Sequence, residues 1–145
     1  MKGIDISEVV ISNNKREFPD LDFRLTTPET QAPYPDQSFD AIFCSEVIEH
    51  LYDVNFVLRD FNRLLRPGGL LMLTTPYHGL IKNLVIAFFY FDRHYNPTWQ
   101  HIRFFTKRSL EKICQEQGFT PIKWSRVGRI PSLARSFFVT CRKDA

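Results

Sequence analysis

Hydrophobic residues recur along this chain in two rhythms. Short, nearly unbroken apolar runs at residues 3–6, 21–25, 39–44 and 70–74 have the length of strands buried on both faces. Between them the spacing turns helical. Ser7 is placed to cap a helix over residues 8–16. In a second helix, over residues 55–65, Phe56, Val57, Phe61, Leu64 and Leu65 build one apolar face, and Arg66-Pro67-Gly68-Gly69 ends it. A third opens at Thr106, turns Leu110, Ile113 and Cys114 inward, and closes at Gly118. Residues 121–127 and 137–141 read as a final antiparallel strand pair. The stretch 26–38 holds Pro28, Pro33 and Pro35 and reads as a loop. Residues 76–103 are rich in aromatics (Tyr77, Phe88, Phe89, Tyr90, Phe91, Tyr95, Trp99) and read as irregular. Strands alternating with helices, then a hairpin, predict a three-layer α/β domain spanning residues 1–145 without internal repeats.

Composition narrows the function classes. Apolar residues make up 43% of the 145, and 14 phenylalanines exclude a disordered or fibrous chain. Cys44, Cys114 and Cys141 are odd in number and far apart, so neither a disulfide framework nor a zinc knuckle is supported, and a reducing, cytoplasmic setting is expected. The first ten residues lack the basic start and apolar core of a signal peptide, and the most apolar run, residues 80–91, is too short to span a bilayer. The net charge of +3 conceals an imbalance: residues 1–72 carry seven basic against twelve acidic side chains, and residues 73–145 twelve against four. The basic half suits an acidic ligand, but its charges are dispersed rather than clustered, which disfavours nucleic acid.

Four blocks in this order, Gly3-Ile4-Asp5-Ile6-Ser7, PYPDQSFDAIFCSEVIEHL (33–51), LLRPGGLLMLTTP (64–76) and HIRFFTKRSLEKICQEQGF (101–119), are together similar to the class I S-adenosylmethionine (SAM)-dependent methyltransferases. The segment Glu46 to His50 is most similar to the ubiquinone-biosynthesis and RNA 2′-O-methylating relatives. The resemblance implies a Rossmann-like sheet with helices on both faces. It departs in one respect: the family's first strand and glycine-rich cofactor turn have no counterpart in these residues, and Gly68-Gly69 belongs to a later block. That strand would lie between residues 3–6 and 39–44. Residues 1–25 are therefore expected to be displaced or completed by a partner chain, residues 40 onward to keep the family arrangement, and SAM to be held weakly by this segment alone.

Site residues follow from position and resemblance together. Asp5 ends a strand where open α/β sheets bind ligands and is expected to take the SAM ribose hydroxyls. Glu29 and Thr30, after the next strand, are the adenine-side candidates, and the backbone of Cys44 and Ser45 is expected beside the sulfonium. A buried, inert Cys44 is favoured over a catalytic thiol. Glu46, Glu49 and His50 stand at i, i+3 and i+4, a spacing that on a helix puts them on one face. With His101 they are candidates to hold a divalent ion such as Mg, which would activate an acceptor oxygen. Alternatively the segment is a helix start in which His50 has a structural hydrogen bond, and His50 or His101 is then the general-base candidate. The aromatic stretch 76–101 is the candidate substrate region, suited to a small acidic or aromatic molecule, with an oxygen acceptor favoured. A homo-oligomer is allowed. Two rival readings remain: a non-catalytic remnant used for protein interaction, and a nicotinamide oxidoreductase, which the EVIEHL and RPGG motifs disfavour.

Overall fold

In the computed structural model, which describes residues 1–94, 102–128 and 134–144, the strands divide between two sheets. β1 (Lys2–Asp5) and β2 (Asp22–Leu25) form a parallel pair in register from Lys2 against Asp22 to Asp5 against Leu25. The other sheet has the order β3-β4-β6-β5, with β3 (Phe39–Ser45) parallel to β4 (Leu65–Pro76), and β6 (Ser136–Lys143) antiparallel to both β4 and β5 (Phe119–Val127). Among the described residues β1 pairs with β2 alone and β3 with β4 alone, so each keeps one edge without a strand partner. Gly3 to Asp5 are not paired beside Ala41 to Cys44.

Each helix follows from local chemistry. α1 (Glu8–Glu17) starts where Ser7 Oγ accepts the Val10 N–H, and it buries Ile11. α2 (Val54–Leu64) starts at Asp53, whose carboxylate accepts the Phe56 N–H at 2.9 Å. Its C-terminal carbonyls, which have no partner inside the helix, are met by Lys143 Nζ, at 2.8 Å from Asn62 O and 2.9 Å from Leu65 O. α5 (Lys107–Glu116) is closed by reciprocal bonds between Thr106 and Ser109, and Gly118 follows it at φ +74, the left-handed conformation that ends a helix. The main core lies where α2 and α5 cover the four-stranded sheet, with Leu58, Leu71, Leu73, Leu110, Phe119 and Val139 fully buried.

Two expectations are corrected. The Arg66-Pro67-Gly68-Gly69 turn lies inside β4, which begins at Leu65: Leu65 pairs with Phe39 and Leu70 with Ala41, so the four residues form an insertion between paired positions. A side chain at Gly69 would meet Arg66 O at 2.9 Å and Asp40 O at 3.2 Å, so the close backbone approach needs glycine there. Within the aromatic stretch, residues 80–89 and 91–94 are helical rather than irregular, forming α3 (Leu80–Phe89) and α4 (Phe91–His94), while Tyr95 and Trp99 lie outside the described residues. The α3 sequence is apolar nearly all round, which removes the periodic signal of a half-buried helix. Leu80, Ile81, Leu84, Phe88 and Phe89 are exposed and Ile86 is buried. No helix among the described residues is long and apolar enough to cross a membrane.

The smaller sheet is anchored to the larger through the loop after β2. Asp60 and Arg63, one turn apart on α2, grip it together. Asp60 Oδ2 accepts the Ala32 N–H at 2.8 Å, and Arg63 donates to Asp60, to Asp36 and to the carbonyls of Ala32 and Tyr34. From the other side Arg24 donates to Pro33 O at 2.8 Å, and its guanidinium lies 4.7 Å from the centre of the Tyr34 ring.

Candidate active site at the carboxyl edge

Where β1 and β2 end, Asp5 and the following loop come together. Asp5 Oδ1 accepts the Ser7 N–H at 2.8 Å, and its carbonyl accepts the Thr26 N–H at 3.0 Å. Thr30 folds back so that its N–H and its hydroxyl both meet Thr27 O, at 3.2 and 3.1 Å. The structure thus brings the expected Asp5 and Thr30 to one edge, while Glu29 is exposed on the turn between them. Among the described residues Oδ1 alone of the Asp5 carboxylate is bonded, and the second oxygen is available to a ligand.

The carboxyl end of the larger sheet is more tightly built. Ser45 Oγ and Thr74 Oγ1 lie 2.9 Å apart across the ends of β3 and β4. Glu46 then turns the chain at φ 52, and its N–H is satisfied by Thr74 O at 3.0 Å and Thr74 Oγ1 at 3.1 Å. Cys44 is buried, and desolvation, reinforced by the charge of Glu49, pushes its thiol up to about 12. A thiol held protonated is no nucleophile, in keeping with the expectation of an inert Cys44.

The expected helical face of Glu46, Glu49 and His50 does not form. Glu46 is in a left-handed conformation, Ile48–His50 make a single 3-10 turn, and α2 begins only at Val54. The three differ in burial: Glu46 is exposed, His50 half-buried, and Glu49 buried at 1% exposure. Among the described residues no group of three or more His, Cys, Asp or Glu side chains could hold a metal ion. His101, the fourth expected member, lies outside the described residues.

Glu49 has a different set of partners. Thr75 donates to its Oε2 at 3.2 Å, and His50 Nε2 lies 4.0 Å from Oε1. Its backbone carbonyl accepts the N–H groups of both Ile102 and Arg103 at 3.1 Å, and the Arg103 guanidinium donates to the carbonyls of Leu51 and Tyr52. Burial, the largest influence, raises the Glu49 pKa above the usual glutamate range. Thr74, Thr75 and Arg103 are not among the residues singled out from the sequence. The signal for the threonines is a pair of hydroxyls closing the otherwise apolar Leu70-Leu71-Met72-Leu73 strand at its carboxyl end, where ligands bind in open α/β sheets.

Comparison with known proteins places the chain among methyltransferases. The sequence profile of a methyltransferase-domain family matches residues 1–123. A probable S-adenosylmethionine-dependent methyltransferase of Mycolicibacterium smegmatis is 34% identical over 74 residues, 51% of this chain and 28% of that protein. The 27-O-demethylrifamycin SV methyltransferase of Amycolatopsis mediterranei is 40% identical over 76 residues, 49% of this chain and 28% of that protein. A ubiquinone biosynthesis O-methyltransferase of Xanthomonas oryzae is 42% identical over 55 residues, 38% and 23% respectively. The matched stretches thus span under a third of these relatives' length. Among solved structures, the Burkholderia thailandensis 1,6-didemethyltoxoflavin-N1-methyltransferase superposes with a TM-score of 0.71 at 18% identity, covering 99% of this chain and 61% of that one. The [4+2]-cyclase SpnF does so with a TM-score of 0.74 at 17% identity, covering 99% and 66%. Both likenesses are of fold, and the second is to an enzyme named for a different reaction.

Proposed function

The chain belongs to the methyltransferase-domain family, and from that premise we propose that it forms the larger part of a catalytic domain that moves a methyl group from SAM to an oxygen of a small molecule. The observation that carries this reading is that both parallel strand pairs end in polar groups at their carboxyl ends, Asp5 with Thr30 on the small sheet, and the Cys44-Ser45-Glu46 backbone with the Thr74-Thr75 hydroxyls on the large one. SAM, when bound, supplies a methyl made electrophilic by its sulfonium. The residues of this chain bind and orient. The second oxygen of Asp5 accepts ribose hydroxyls, Thr30 with Glu29 borders the adenosine, and the β3 end carries the backbone that faces the reacting centre. His50, half-buried beside Glu49, takes the proton released by the acceptor hydroxyl. Alignment and exclusion of water supply most of what methyl transfer needs from a protein. Three free, buried cysteines fit a reducing cytoplasm.

The interaction-module reading rests on a different observation. Among the described residues β1 and β3 each present an edge without a strand partner, and Ile4, Ile6 and Phe43 are exposed on them or beside them. Calorimetric titration with S-adenosylhomocysteine separates the two. It is run on this polypeptide and on one extended at its N-terminus by a strand and glycine-rich turn. Binding that strengthens at least tenfold with the extension, together with labelled-methyl transfer, supports the transferase. An extended protein that folds and binds no nucleoside supports the module.

A further inference from the structure

Just past the Thr74-Thr75 edge, β4 runs into a cleft of about 470 Å³ lined by Tyr77, His78, Thr106, Lys107, Trp124 and Arg126 among others. Its aromatic walls are fixed by edge-to-face packing. Phe137 sits between Tyr77 and Trp124, with ring centres at 4.9 and 5.7 Å. Cations lie over the same rings: the Arg126 guanidinium is 5.3 Å from the Tyr77 centre and the Lys107 ammonium 5.2 Å from that of Trp124. The N-terminus of the ten-residue α5 opens into the same space; the Ser109 N–H is taken by Thr106 Oγ1, and those of Lys107 and Arg108 have no partner within the helix. Lys107, Arg108 and Arg126 line the cleft, and among the described residues no carboxylate does. Flat apolar walls, three cations and a helix's positive end thus meet in one concavity adjoining the reacting edge.

We propose that this cleft receives the methyl acceptor, and that the acceptor is a flat ring bearing an anionic oxyacid group, a carboxylate or a phosphate. The acceptor role rests on the transferase reading above; the ligand chemistry rests on the cleft itself. The ring packs against Trp124 and Tyr77, and the anion is held by Lys107, Arg126 and the start of α5.

Four probes test this by calorimetry and tryptophan fluorescence: 3,4-dihydroxybenzoate, phenyl phosphate, neutral catechol and non-aromatic cyclohexanecarboxylate. At least one aromatic anion is expected to bind ten times more tightly than catechol and than cyclohexanecarboxylate, and the tighter of the two identifies the anionic group. Lys107→Gln and Arg126→Gln should each weaken that anion about tenfold, the scale of a lost charge-assisted hydrogen bond, and leave catechol unchanged. Thermal melts confirm that both variants fold, and Lys107, at the exposed first turn of α5, is the safer of the two. Equal affinity for catechol and the anions, or variants that bind the anion as the parent does, would overturn the proposal. The titrations need no cofactor. They therefore test the ligand class alone, and the transferase reading falls separately if the extended protein transfers no labelled methyl.

Discussion

Thr75 and Glu49 meet at the carboxyl edge of the larger sheet, the threonine hydroxyl donating to Glu49 Oε2 at 3.2 Å inside a shell that leaves the glutamate 1% exposed. Oε1, 4.0 Å from His50 Nε2, has no hydrogen-bond partner among the described residues. A carboxyl so placed is easier to bury neutral than charged, and its pKa is raised accordingly. The folded protein then keeps this proton at pH values where the unfolded chain has released it. Stability from Glu49 is therefore complete at low pH and is lost as pH rises through the native pKa. Glu49→Gln, which cannot ionise, should gain in melting temperature relative to the parent as pH moves from about 4, near a free glutamate's pKa, to neutrality. A difference between the two proteins that does not vary with pH would contradict this account.

Asp5 offers the most direct test of cofactor binding. In the N-terminally extended protein, Asp5→Ala should weaken S-adenosylhomocysteine by about 1.5–3 kcal/mol, the scale of hydrogen bonds to a charged group. An unchanged dissociation constant would take Asp5 out of the site.

The grip of Asp60 and Arg63 on the loop after β2 predicts a large stability effect far from any chemistry. Asp60→Ala leaves the Ala32 N–H and the Arg63 guanidinium short of their shared acceptor. A loss of about 3 kcal/mol is expected, at the low end for breaking a buried ion pair because Arg63 keeps Asp36. Urea unfolding measures it, and a loss below about 1 kcal/mol would show that the loop is held by other means.

Cys44 should resist alkylation in the native state. With its thiol pushed up to about 12, almost no thiolate exists at pH 8, and modification by iodoacetamide should follow unfolding rather than precede it. Mass spectrometry of protein labelled with and without denaturant decides this, and rapid native labelling at Cys44 would refute the buried-thiol assignment.

Much of the fold is legible in the sequence because it is local. Ser7 and Thr106 announce their helices by capping, and the apolar runs of β3 and β4 announce strands by length and composition. Asp5 and Thr30 are legible because a strand's carboxyl end is a position that can be read from the run before it. The 46–50 segment misleads for the same reason: its spacing satisfies a helix locally, but Glu46 is pinned by Thr74 from another strand, a contact 28 residues away. The cleft walls likewise depend on β5 and β6 meeting α5, which no local pattern encodes. α3 escapes the sequence because an almost uniformly apolar helix lacks the polar face that makes periodicity visible.

Hydrogen exchange should divide the chain along the boundary between its sheets. β1, a four-residue strand with one open edge, should exchange quickly, while Leu71 and Leu73, fully buried in β4 between two partners, should exchange at the rate of global opening. Equal protection of the two segments would refute this division.

The boundary also separates chemical labour. Asp5 and Thr30 belong to the small sheet, while Thr74, Thr75, His50 and the aromatic cleft belong to the large one, and the loop gripped by Asp60 and Arg63 joins them. On the proposed reading, ribose and adenine recognition falls to the first piece and acceptor recognition to the second, joined by that loop. An extended strand pairing with both open edges would then tie the two recognition sites together through backbone hydrogen bonds alone.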